Sequence, residues 1–324
     1  MGPARRSSGA LSRFLLIGLC AIPAAGAAAQ SSADYEPPDG VAFRTASIMS
    51  DGTRIHAEIY SPAASADQRL PTIIQAHGWG GLAANLRNDS ADLALAGYHV
   101  ITFDYRGWGE SDARVILSGA EPDGEGRTYT AQVEKIEGVV DPFDQTDDWF
   151  SVVHWTMGDP LFDPDRIGIR GSSLSGGHVI YVAAHEPRIR ALVAQVPATD
   201  ATTGMPQIFE DGFDIATRRT RGELGYPPPR IREFNLTGTA IHEKFLRYDP
   251  NAVAHRVEAA ALVIVAESEE LYNNETQGKL AYERLTSPKA YEVIPDITHY
   301  AVYGAARERI VGLAIDWFDR FLKP

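Results

Sequence analysis

The chain of 324 residues carries a single cysteine, Cys20. One thiol closes no intramolecular disulfide, so a disulfide scaffold is excluded. Basic residues are scarce as well: 30 Lys and Arg stand against 43 Asp and Glu, a formal charge of −13. That balance favours solubility and argues against nucleic acid or an anionic membrane as partners. Long apolar runs are missing, and the stretch from Phe14 to Ile22 is too short to span a bilayer. Internal repeats and long low-complexity tracts are missing too, which excludes solenoids and arrays. With 44% hydrophobic residues, the chain suits one large α/β domain with insertions better than two independent domains.

Residues 1–29 have the pattern of an export signal. Arg5, Arg6 and Arg13 form a basic segment, Phe14 to Ile22 an apolar core, and Ala27-Ala28-Ala29 a small-residue cleavage site. The expectation is a secreted or periplasmic protein whose mature part, residues 30–324, is still more acidic. The only cysteine leaves with the signal, so no thiol nucleophile remains.

Gln30 to Asp39 is a polar lead-in. Val41 to Met49 and Ile55 to Tyr60 then read as strands joined at Asp51-Gly52, a hairpin signal. Leu70 to Ala76 is a buried strand ending in His77-Gly78-Trp79-Gly80-Gly81. Tyr98 to Phe103 is another, ending in Asp104-Tyr105-Arg106-Gly107-Trp108-Gly109-Glu110-Ser111, and Leu86 to Ala96 between them suits a helix. Ser111 to Gly138 reads as surface loop. Trp149, Val152, Val153 and Met157 recur at helical spacing, and Asp159 to Asp165 reads as the turn that ends that helix. Further strands are expected at Ala191 to Val196, Leu262 to Ala266 and Ala290 to Ile294, with an amphipathic helix from Ile310 to Phe321. Strands alternating with helices imply a doubly wound, mostly parallel sheet covered on both faces. In such sheets reactive groups gather at the carboxyl ends of the strands.

The chemistry centres on Arg166-Ile167-Gly168-Ile169-Arg170-Gly171-Ser172-Ser173-Leu174-Ser175-Gly176-Gly177. A short strand feeds a tight turn of small residues, and Val179 to Ala184 continues as a buried helix. A serine on such a turn needs small neighbours two positions either side, because the backbone is strained and crowded. Ser173 meets that with Gly171 and Ser175, a G-x-S-x-G pattern with serine in its last place. The rival frame on Ser175 would start the turn too late.

A serine hydroxyl is a weak nucleophile and needs a base. Of nine histidines, His299 is the best placed, in a loop between the last strand and the C-terminal helix. The base in turn needs an acid to fix its tautomer. Glu267-Ser268-Glu269-Glu270 follows the preceding strand in the chain order serine, acid, histidine. Glu269 is the choice, as the third residue after that strand; Glu267, Glu270 and Asp200 are alternatives, and Asp296 lies too near His299 in sequence. Oxyanion donors are expected from the backbone amides of Leu174 and Trp79, the latter where glycines allow close backbone approach.

These stretches, with Ile297-Thr298-His299-Tyr300, resemble the serine α/β-hydrolases. Within them they resemble the branch of Xaa-Pro dipeptidyl-peptidases and cocaine-esterase-like hydrolases, together with fungal polyketide transferase and thiohydrolase-like proteins. The resemblance spans Val41 to Leu322 and implies an α/β-hydrolase fold and acyl-enzyme chemistry. It departs from that pattern at Ser175, where most members carry glycine, and at the glutamate-only acid loop. No stretch reads as the β-sandwich domain appended to the large peptidases.

The insertion from about Ala198 to His255 is expected to cap the serine. It carries Met205, Ile208, Phe209, Phe213, Tyr226 and Phe234 amid prolines 227–229, mostly as packing residues. Arg218, Arg219 and Arg221 read as a solvated basic face. Asp159, Asp163 and Asp165 read as turn formers, so no metal is expected, and no cofactor. The leading expectation is an exported serine hydrolase acting on small-molecule carboxylic esters or related acyl compounds. The alternatives are a peptidase or amide hydrolase, a thioester hydrolase or acyltransferase, and a binding protein with a disabled site.

Overall fold

A computed structural model describes residues 30–119, 126, 128–204, 206, 210–226 and 236–323. Residues 1–29, and with them the export signal, lie outside the described residues. So do Met205, Ile208, Phe209, Phe234 and prolines 227–229 of the expected cap.

The main sheet has eight strands: β1 (Val41–Ser50), β2 (Thr53–Pro62), β3 (Leu70–Ala76), β4 (His99–Phe103), β8 (Phe162–Ser172), β9 (Ala191–Gln195), β11 (Ala260–Ala266) and β12 (Lys289–Ile294). Their spatial order is β1-β2-β4-β3-β8-β9-β11-β12. The first two are antiparallel, and β4 onward is parallel. The β1–β2 turn places Asp51 and Gly52 both at positive φ, 47° and 81°, as a two-residue hairpin turn with the right twist requires. Every residue of β9 and β11 is buried, the mark of interior parallel strands covered on both faces.

Helices α1 (Arg87–Leu95), α2 (Pro142–Gly158) and α3 (Leu174–Ala183) and the C-terminal helix Arg307–Leu322 supply that cover. Trp149, Val152 and Val153 of α2 pack with Val179 and Ile180 of α3 on one face. Leu93 of α1 and Trp317 and Phe318 of the C-terminal helix pack on the other. Asp141 starts α2 by accepting the amides of Phe143 (3.1 Å) and Asp144 (3.3 Å), with Pro142 in the first helical position.

Three expectations need correction. The stretch from Ser111 to Gly138 is not all loop, because β5 (Arg114–Leu117) pairs antiparallel with β6 (Val133–Ile136). Val115, Leu117 and Val133 on that hairpin are exposed, so no buried face marked it in the sequence. Asp163, Pro164 and Asp165 lie within β8 rather than in a turn. There β8 pairs with β3 across an irregularity between Leu70 and Thr72, which tolerates a proline without an N–H. The third concerns Arg219, which is mostly buried, whereas Arg218 and Arg221 stay on an exposed face as expected, each beside an acid. Arg219 donates to Glu243 (2.6 Å), Arg221 to Glu223 (2.6 Å), and Arg218 lies 3.5 Å from Asp214.

The short strands β7 (Val139–Val140) and β10 (Thr239–Ala240) pair in parallel and tie the insertion to the body. Tyr226 packs on the small cluster of Ile136, Val139 and Ile241 beside them, whereas Phe213 is 74% exposed and joins no core cluster among the described residues. Among the described residues no helix is long and apolar enough to cross a membrane, and no group of His, Cys, Asp or Glu is arranged to hold a metal ion.

Two buried polar clusters inside the body show how charged and aromatic side chains are paired there. Arg106 donates to Asp148 at 2.6 and 2.9 Å, with Asp148 fully buried. His178 on α3 lies between the Tyr248 hydroxyl (2.5 Å from Nδ1) and the Gln145 side-chain oxygen (3.0 Å from Nε2). An amide oxygen only accepts, so Nε2 carries the proton and Nδ1 receives the Tyr248 hydroxyl proton. Burial pushes the His178 pKa down to about 3, with the neighbouring His77 a smaller cause.

Two measurements follow from these buried groups. Asp148→Ala strands the Arg106 guanidinium and should cost about 3–5 kcal/mol in chemical denaturation. His178 is neutral when folded but takes a proton near 6.5 when unfolded, so its contribution is intact above that pH and lost as pH falls toward 3. Burial lowers His77 and His99 in the same direction. The unfolding free energy should therefore decline below pH 6.5, and His178→Gln should make that decline shallower.

Candidate active site

Strand β8 ends at Ser172, and Ser173 follows with φ 57° and ψ −122°, in the left-handed region that a residue with a Cβ seldom adopts. Its backbone is gripped on both sides. The N–H donates to Gln195 O (2.9 Å), and the carbonyl accepts from Gly176 (2.9 Å) and Ala198 (3.0 Å). The small residues are obligatory: a Cβ at Gly171 would lie 2.1 Å from Ser175 O, and one at Gly177 2.1 Å from Ala198 O. Ser175 is fully buried inside α3 and accepts the Tyr105 hydroxyl (3.1 Å). It faces the core, whereas Ser173 faces open space.

The loop after β3 lies against this turn. A Cβ at Gly78 would meet Ser172 O at 2.8 Å and Ser173 Cβ at 3.0 Å, so only glycine lets the two backbones touch. His77 is buried, and its Nδ1 donates to the Gly78 carbonyl (2.9 Å). In a trans peptide the next N–H points the opposite way. That bond therefore turns the Trp79 amide away from His77. Neither the Trp79 nor the Leu174 amide finds an acceptor among the described residues, the latter because it opens a helix.

His299 begins a short helical turn after β12 and is 1% exposed. Its Nδ1 lies 2.9 Å from Glu269 Oε2. A carboxylate only accepts, so Nδ1 holds the proton and Nε2 keeps its lone pair. The neighbouring acids hold the loop itself. Glu270 accepts the His299 amide (2.6 Å), and Glu267 accepts the amide of Asp296 (2.9 Å), which sits at φ 58°. Asp200 is engaged by Thr202 and Thr203 at the start of the helix Ala201–Gly204. Of the four acids weighed from the sequence, Glu269 is the one bonded to the His299 ring.

Two cavities meet at Ser173. One of about 200 Å³ is lined by Trp79, Leu174, Phe245, Tyr248 and Tyr272 among others. One of about 420 Å³ is lined by Gly78, Trp79, His299, Tyr300 and Tyr303. Ser173 and His299 thus face the larger cavity together. No hydrogen bond joins their side chains among the described residues, as is common before a substrate tightens such a site. Leu236, Phe245 and Tyr248, from the insertion between Ala198 and His255, also line the smaller cavity.

Sequence reasoning missed Tyr272, Tyr303 and Tyr248. Tyr272 sits three residues beyond Glu269, its ring edge-on to His299 at 5.5 Å and its hydroxyl donating to the Val196 carbonyl. Burial first and the Glu269 charge next hold its pKa well above the usual phenol range, so it stays a donor. Tyr303 accepts the Ser172 hydroxyl (2.8 Å). Only the positions of Tyr272 and Tyr303 in the acid and histidine loops could have marked those two, and Tyr248, in the insertion, carried no such mark.

The family model for X-Pro dipeptidyl-peptidase (S15 family) matches residues 51–225, which include the glycine loop after β3 and the turn at Ser173. A quorum-quenching protein, AidA, of Acinetobacter baumannii is 30% identical over 309 residues, covering 84% of this chain and 93% of its own. An uncharacterized 31.7 kDa protein of Escherichia coli, from the traX-finO intergenic region, is 29% identical over 285 residues, covering 78% and 91%. Among solved structures, DcsB in complex with its substrate analogue superposes with a TM-score of 0.67 at 17% identity, over 87% of this chain and all of that one. The chain is a hydrolase of the serine α/β-hydrolase superfamily and belongs to the X-Pro dipeptidyl-peptidase (S15 family).

Proposed function

We propose that this hydrolase cleaves carboxylic esters through an acyl-enzyme formed on Ser173. The observation that carries the reading is the His299–Glu269 pair, 2.9 Å apart, opening on the same cavity as a serine held at positive φ. His299 Nε2 takes the Ser173 proton as the hydroxyl attacks the carbonyl, and Glu269 steadies the imidazolium that forms. The Trp79 and Leu174 amides hold the oxyanion. His299 returns the proton to the leaving oxygen, and water then attacks the acyl-enzyme with His299 again as base.

The family match favours a second reading, hydrolysis of an Xaa-Pro amide by the same groups. Against it stands the smaller cavity at Ser173. Its volume of about 200 Å³ is little more than the roughly 150 Å³ that holds one benzene, so it is tight for a dipeptidyl group. The proposal extends to export, with cleavage after Ala29. Gln30, which would then be first, is already fixed by its carbonyl on Arg87 (2.8 Å), and Ser32 is fixed on Glu110 (2.6 and 2.8 Å).

Steady-state rates on p-nitrophenyl esters beside an Xaa-Pro anilide decide between the two reactions. Ester turnover with no anilide turnover is expected, and the reverse would reject the ester reading. Ser173→Ala and His299→Ala should each lower kcat by about ten-thousand-fold or more, with little further loss in the double variant, because the groups act as one unit. Glu269→Gln should cost less than either, and Glu267→Gln less again, since Glu267 holds only the Asp296 amide. A dead Glu267→Gln beside an active Glu269→Gln would reassign the acid.

A further inference from the structure

We infer that the two cavities at Ser173 divide an ester between them, with a short, non-anionic acyl group in the smaller and a larger alcohol or phenol in the other. The inference rests on the esterase reading above and adds the substrate's orientation and class.

Proton transfer sets the orientation. The Ser173 Oγ–carbonyl bond forms as the bond from carbonyl carbon to alcohol oxygen breaks. The proton taken from Ser173 passes from His299 Nε2 to that oxygen, so the departing oxygen must lie on the side where His299 stands. His299 lines the larger cavity and not the smaller. The acyl chain is left the smaller one. Water that later frees the acid enters by the space the alcohol has vacated.

Size and rigidity set the acyl limit. An apolar cavity of about 150 Å³ holds one benzene, so about 200 Å³ admits a single ring or a chain of roughly four to six carbons. One wall does not yield. Phe245 is 1% exposed and stacks on Trp79 (5.9 Å between centroids, 15° between planes). Tyr248 beside it is 2% exposed, and its hydroxyl is anchored behind the wall on His178, which is fixed in turn by Gln145. A chain pressed against that wall would have to break the buried relay behind it.

Charge narrows the class further. Asp200 and Glu270 line the same cavity and repel an anionic chain. A cationic chain would meet those same carboxylates as partners, so the charge of the lining excludes anions alone. The larger cavity differs at both points: at about 420 Å³ it ends on Tyr300 and Tyr303, each 44% exposed, so a bulky alcohol can extend into solvent.

The test uses two substrate series on the full-length enzyme. One varies the acyl chain of p-nitrophenyl esters from acetate to octanoate, and the other varies the alcohol of acetate esters from methanol to naphthol. Wild type should lose about tenfold or more in kcat/KM once the chain passes hexanoate. Phe245→Ala should raise the octanoate-to-acetate ratio about tenfold and leave the ratios across the alcohol series in place. Tyr300→Ala should do the opposite, shifting the alcohol series alone. Truncating Phe245 removes core packing, so Ala201→Leu, which narrows the smaller cavity from its half-buried rim, supplies a change of opposite sign: a lower hexanoate-to-acetate ratio. Wild-type octanoate turnover equal to acetate, or variants that shift the wrong series, would overturn the inference while leaving the esterase reading intact. Ester turnover that survives Ser173→Ala would overturn that reading and this inference with it.

Discussion

The structure depends on holding one serine where its backbone does not want to be. A non-glycine residue at φ 57° costs on the order of 1–3 kcal/mol and persists only where its surroundings over-determine it. Here they do. The Ser173 amide is tied to β9 through Gln195, its carbonyl receives Gly176 and Ala198, and glycines at 78, 171, 176 and 177 remove every side chain that would touch a neighbouring carbonyl. Just behind the turn, Arg170 is buried and donates to Gln75 (2.8 Å), Asp89 (2.7 Å) and Gln195 (2.9 Å), joining β3, α1 and β9 around the strand that delivers the serine. Asp89 also receives Arg307 from the C-terminal helix (2.6 Å). One charge cluster thus links the turn to α1 and to the C-terminal helix.

The groups facing the serine are placed by the same economy of backbone contacts. Three glutamates crowd one loop, which would be self-repelling if all were free. Instead each accepts a different partner: Glu267 the Asp296 amide, Glu270 the His299 amide, Glu269 the His299 ring. Two of these bonds hold the chain of the histidine loop and the third sets the ring's tautomer, so the histidine is oriented before any substrate arrives. On the other side His77 does the same for the Trp79 amide through the Gly78 carbonyl.

Much of this was legible in the sequence, for local reasons. Continuous apolar runs such as Ala260–Ala266 mark interior strands, Asp51-Gly52 marks a tight hairpin, and the spacing of Gly171, Ser173 and Ser175 marks a strained turn. The contact of Glu269 with the His299 ring was legible too, because strand end plus three residues is a distance the backbone sets. The β5–β6 hairpin was not, since its outward residues are exposed and about fifteen residues separate its strands. The Asp163-Pro164-Asp165 stretch misled because proline usually punctuates, yet at an irregular strand end its missing N–H costs nothing. Tyr248, His178 and Gln145 come from three distant segments, and only the folded chain brings them together behind the cavity. The division of labour among the glutamates was equally invisible, because it depends on which amides the opposite loop presents.

The central claim is that Ser173 is the atom acylated in turnover, and covalent trapping tests it most directly. Folded protein treated with a fluorophosphonate should gain one adduct by intact mass, mapped to the peptide containing Ser173. The adduct should be lost in Ser173→Ala and kept in Ser175→Ala. An adduct on Ser175, or none on folded wild-type protein, would contradict the account.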